Sequence, residues 1–205
     1  MSLTLADGFF KLMVNDGKET YFVEPLNKES LSENIPATNQ FIAYKSSDVN
    51  PVEGVTCGSD MLNDRLNEGR EHLKNKPQID ERAAPCLKCV EVQIALAADL
   101  SMYSKYGSVA GAENQMLSVL ADVQTVFDNE FANEYQYQVT GLWVADDPMR
   151  DPWNNVRDIN TQLDVFVANA PTLFAGVAYE VATNWTAKYI SGVIGLAFLA
   201  QVCNL

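Results

Sequence analysis

Four cysteines and one histidine are the side chains of this 205-residue chain best suited to metal binding or nucleophilic chemistry: Cys57, Cys86, Cys89, Cys203 and His72. A lone histidine excludes any site built from two or three imidazoles within the chain. Cys86-x-x-Cys89 has the spacing of a zinc knuckle, a redox pair or a disulfide. A knuckle needs a second pair of ligands, and Cys57, Cys203 and His72 lie far apart in sequence. A thioredoxin-type pair opens a helix, whereas the residues after Cys89 read as a strand. Cys86 and Cys89 are therefore read as disulfide candidates. Cys57, followed by Gly58, is an unpaired thiol, a disulfide partner or a metal ligand. His72 sits among Arg70, Glu71 and Lys74 and reads as solvated.

The elements that must hold these residues fall into two textures. Residues 8–46 read as β structure, in which GFFKLMV and ETYFVEP flank the turn Asn15-Asp16-Gly17 and NQFIAYKS follows as a third strand. Residues 47–85 are polar, with a solvated helix expected over 59–76 and a proline-bounded linker after it. From Cys89 onward the chain is more apolar. VEVQIALAADL (90–100) reads as a central strand. Val109, Ala112, Met116, Val119, Leu120, Val123, Phe127 and Phe131 recur at steps of three and four, which predicts a long amphipathic helix. A strand over 135–145 follows, then a short helix capped by Asp158 and stopped before Pro171, then strands over 173–182 and 192–200. This order predicts an α/β arrangement with a mostly parallel sheet.

Composition narrows the function. With 47% hydrophobic and 20% charged residues the chain is globular rather than disordered or collagen-like. Its net charge is −13: the first 88 residues carry 10 basic and 14 acidic groups, the remaining 117 carry 4 and 13. Such a field repels phosphate backbones, so a nucleic-acid partner is not expected. The N-terminus lacks the basic and apolar regions of a signal peptide. Residues 189–205 are apolar and uncharged, but 17 residues interrupted by Gly192 and Gly195 read as a buried or edge strand and its connection, not a membrane span. A glycine inside such a strand weakens it unless something approaches the backbone closely.

Several strings, in order, resemble the reprolysin (adamalysin, ADAM-type) zinc metalloproteases. VEVQIALAADLSMYSKYGS is similar to that family's opening strand, with Ala98-Asp99 followed by Met102-x-x-Lys105-Tyr106. LSVLADVQTVFDNEF and YQVTGLWVADDP resemble its first helix and second strand, and GVIGLAFLAQVC its strand and turn before the active-site helix. FFKLMVNDGKETYFVEPLNKE with NQFIAYKSSDV resembles the end of the family's prodomain.

The resemblance implies three parts: 1–76, the β-rich C-terminal part of a prodomain; 77–88, a linker; and 89–205, the N-terminal part of a metzincin-like catalytic domain. It implies a secreted zymogen that cleaves protein or peptide substrates with zinc-activated water. The family's H-E-x-x-H-x-x-G-x-x-H segment is absent, so the chain reads as a fragment without its zinc site, and inactive as it stands. In the relatives Cys57 would serve as a latency ligand of the zinc, and Cys203 would pair with a cysteine further along. Ile194, Gly195 and Leu196 would form the cleft edge to which a substrate backbone adds. Glu91 is the nearest match to a structural calcium ligand, although counting back from Ala98-Asp99 places the family position at Gln93, on the same strand face. The alternative function is a non-enzymatic extracellular binding or scaffold module with a protease-like fold.

Overall fold

A computed structural model of the chain describes residues 1–6, 9–26, 40–50, 56–57, 90–131, 134–188 and 193–195. The helix expected over 59–76, the linker 77–88, His72, Cys86, Cys89, Leu196 and Cys203 lie outside the described residues. Among the described residues the fold is mixed α/β, with a four-stranded antiparallel sheet, a three-stranded parallel sheet, a two-stranded pairing and three α-helices.

The antiparallel sheet is a meander of β1 (Ser2–Ala6), β2 (Phe9–Asn15), β3 (Thr20–Pro25) and β4 (Phe41–Lys45), paired in chain order. The β2–β3 turn forms as its residues predict. Gly17 adopts φ 86°, the Asn15 side chain accepts from the Gly17 N–H at 2.7 Å, and Asp16 accepts from Lys18 and Glu19. β1 was not expected from sequence, because its polar residues face inward: Ser2 is buried while Leu3 and Leu5 are exposed.

The parallel sheet has β6 (Val90–Ala98) at its centre, between β7 (Tyr135–Val144) and β8 (Val181–Trp185). Side chains of β6 alternate between two cores, as a strand buried on both faces requires. Ile94, Leu96 and Ala98 meet Met102, Ala112 and Met116 of helices α1 (Leu100–Tyr106) and α2 (Val109–Glu130). Ala95 and Ala97 face Trp153, and with them Phe166, Ala170 and Phe174 from α3 (Ile159–Leu173) and its end. Small residues on that face leave room for the fully buried indole of Trp153. Burying each large apolar side chain here contributes about 1.5–3 kcal/mol.

The sequence expectation needs four corrections. The strand expected to reach residue 100 ends at Ala98, because Asp99 accepts from the Ser101 and Met102 N–H groups and starts α1. α3 runs past Pro171 to Leu173: a proline in the last turn removes one N–H, and the Phe174 N–H still reaches the Ala170 carbonyl while its ring is buried. The strand expected over 173–182 is instead the end of α3 and a turn with Gly176 at φ 81°, so β8 begins only at Val181. Finally, among the described residues the last strand, β9 (Val193–Gly195), pairs with β5 (Thr56–Cys57) rather than with the parallel sheet.

Gly111, near the start of α2, reverses an ordinary rule. Alanine in place of a helical glycine normally stabilises by about 1 kcal/mol. A Cβ at Gly111 would lie 2.4 Å from the Tyr106 carbonyl oxygen, where α1 ends against α2. Gly111→Ala is therefore expected to lower the urea unfolding midpoint, and a raised midpoint would show that the α1–α2 corner is looser than described.

The inner face of the antiparallel sheet packs on α2, with β1 and β2 closest to the helix. Lys11 is buried there between Glu24 and Asp122. Burial, together with the negative charge of Glu24 and then Asp122, pushes the Tyr44 phenol up to about 12 from its usual 10. The folded state thus holds this proton more tightly than the unfolded chain does. Its contribution to stability is complete below pH 10 and is lost as pH rises toward 12. Burial also raises Tyr137, so absorbance titration should show a late tyrosine phase whose last member, near pH 12, is lost in Tyr44→Phe and moves down toward 10 on unfolding in urea.

Candidate functional site

Cys57 and the edge strand proposed from sequence come together in the fold. β5 and β9 run parallel, with Thr56 opposite Val193 and Cys57 opposite Gly195, and the register shifts by one residue between them. Gly195 is thus a strand glycine against which another backbone lies, the circumstance that makes glycine tolerable in a strand. Ile194 lies between the two paired positions. Glu91 lies elsewhere, exposed near the start of β6 and paired in register with Gln136.

The connection leading toward β9 is held by a buried polar network at the C-terminal ends of β6 and β8. Asp99, fully buried, is its hub. Its Oδ1 accepts from the Ser101 N–H at 3.0 Å and from Met102 at 3.3 Å. Its Oδ2 accepts from the Thr186 hydroxyl at 2.7 Å and lies 3.1 Å from the Lys188 ammonium. Lys188 also donates to the Trp153 carbonyl at 2.7 Å, tying the segment after β8 to the loop before α3. Asp151 supports the same corner by accepting from Leu100 and Trp153 N–H groups. Sequence reading noted Asp99 only as part of a phrase. Lys188 and Asp151 carry no local signal, since their partners lie far along the chain.

Beside this network is an open cleft of about 380 Å³ lined by Ser101, Ser104, Asp151, Asn154, Arg157 and Lys188. It lies at the carboxyl end of the parallel strands, where open α/β sheets place ligands. Asp99, Asp151, Ser101 and Lys188 hydrogen-bond to the protein itself, so the network positions backbone at this corner. Arg157 likewise donates to the Asn154 and Val156 carbonyls.

A zinc site of two or three histidines cannot be built from this chain's residues. The sequence has one histidine, and among the described residues no three of His, Cys, Asp or Glu are grouped to hold a metal ion. Glu91 belongs to no group of three such side chains among the described residues. No described helix is long and apolar enough to cross a membrane. No protein-family model matches the chain, and no curated protein matches it.

Proposed function

We propose that the chain is part of a secreted zinc metalloendopeptidase precursor of reprolysin type, with the end of a prodomain followed by the N-terminal part of a metzincin-like catalytic domain. One observation carries this reading: the Cys57 strand lies along the Val193–Gly195 strand. An extended segment that hydrogen-bonds to a strand edge takes the place a substrate backbone would use. A prodomain segment on the cleft edge keeps a protease latent in that way, and Cys57 is the thiol such a segment would present to a metal. The succession of β6, α2, β7, α3 and β8, with β6 central, agrees with the strings that carry the resemblance.

The metal-binding segment belongs to sequence other than these residues, so no catalytic step is assigned to any side chain here. The purified 205-residue chain is expected to retain no stoichiometric zinc and to cleave no peptide. Chelator-sensitive proteolysis by it would contradict the proposal.

A further inference from the structure

β1 and β2 of the antiparallel sheet each direct a polar group at one carboxylate on α2, and β3 adds a second carboxylate to the same lysine. Lys11 of β2 lies 2.8 Å from Asp122 and 3.4 Å from Glu24 of β3, with 7% of its side chain exposed. Ser2 of β1 donates to the other oxygen of Asp122. Tyr44 of β4 lies where it feels the charges of Glu24 and Asp122. Lysine is almost never buried without partners, and both of its partners here are charged.

We infer that the α2 face around Asp122 is a docking surface for the N-terminal sheet, and that the Lys11–Asp122 pair is a latch holding β5 on the edge of β9. Among the described residues β5 and β9 pair at two positions, too few for an isolated ribbon to persist. The pairing persists because the chain delivers one strand to the other at high effective concentration. Eight residue steps separate Asp48, the end of the last turn of the docked sheet, from Thr56, a reach of at most about 28 Å. Docking of the sheet on α2 therefore confines β5 to the neighbourhood of β9. Releasing the latch frees β5, and with it the β9 edge for another extended peptide. Lys11 is thus a positioning residue that acts on the edge strand through Asp122. Only the identity of the incoming peptide as substrate rests on the protease reading; the latch does not.

Hydrogen exchange on the full chain tests this. In Lys11→Glu, amides of 56–57 and 193–195 are expected to exchange about tenfold faster while 90–98 stay protected. The charge swap Lys11→Asp with Asp122→Lys is expected to restore slow exchange at both strands. If Lys11→Glu fails to fold, Asp122→Asn gives the same readout with a milder change. Unchanged protection of 193–195 in a folded latch variant, or a folded swap that does not restore it, would overturn the inference. Failure of the zinc reading would leave these exchange patterns untouched.

Discussion

Replacing Asp99 with alanine is expected to remove about 3–5 kcal/mol of stability, a large part of what a domain of this size possesses. The carboxylate is fully buried and serves four donors besides the Lys188 ammonium. Its loss removes the cap of α1, which alone contributes about 1 kcal/mol. It also leaves a largely buried ammonium without a counter-charge, and that is the larger part. Asp99→Asn keeps an acceptor for the Ser101 and Met102 N–H groups but not the charge, so it should fall between wild type and alanine. Lys188→Met in the Asp99→Asn background should then cost less than the two single changes added together, because the ammonium is no longer stranded. Urea unfolding of wild type, Asp99→Ala, Asp99→Asn, Lys188→Met and the Asp99→Asn/Lys188→Met double variant measures all of this, and strict additivity would show that the pair is not coupled. The segment after β8 is bonded to Asp99 and Trp153, so the same variants should loosen the approach to β9 before they unfold the sheet.

Trp153→Ala is the second large effect, again about 3–5 kcal/mol. The indole is wholly buried against Trp143 and Phe166, facing Ala95 and Ala97 of β6, and its Nε1–H donates to the Gln162 carbonyl at 3.2 Å. Truncation leaves a cavity that two alanines cannot fill, since neither has a side chain long enough to collapse into it. Trp153→Phe should retain most of the packing and lose mainly the hydrogen bond and part of the volume. Urea midpoints and near-ultraviolet circular dichroism would check both. A loss below about 1 kcal/mol for alanine would mean that this face of the sheet repacks freely.

The parts legible in the sequence are those whose periodicity is strong. The three- and four-residue recurrence from Val109 marks α2 to within a residue, and the apolar run from Val90 marks β6. Asp158 was correctly read as the cap of α3, and its carboxyl is held below the usual carboxylate range by the Thr161 N–H and hydroxyl. β1 was hidden because its apolar side chains point outward and its polar ones inward. α1 was hidden because seven residues are too few for a periodic signal, and its cap lies directly after an apolar strand. The run beginning at Leu173 is apolar enough for a strand, yet Phe174 closes a helix and Gly176 turns the chain.

The site followed the same division. Cys57 and Gly195 could each be singled out by residue type, but their adjacency depends on a pairing between distant segments. Lys11 gave no warning at all. Nothing in Phe9-Phe10-Lys11-Leu12-Met13 marks it, and only the approach of α2 reveals that it is buried.

The central claim, that these residues belong to a zinc endopeptidase precursor, is tested most directly by sequencing the transcript across the codon for Leu205. The account expects the reading frame to continue into an H-E-x-x-H-x-x-G-x-x-H segment within a few tens of codons. A stop codon there, or a frame that continues without paired histidines, would contradict it and favour an extracellular scaffold in place of a protease.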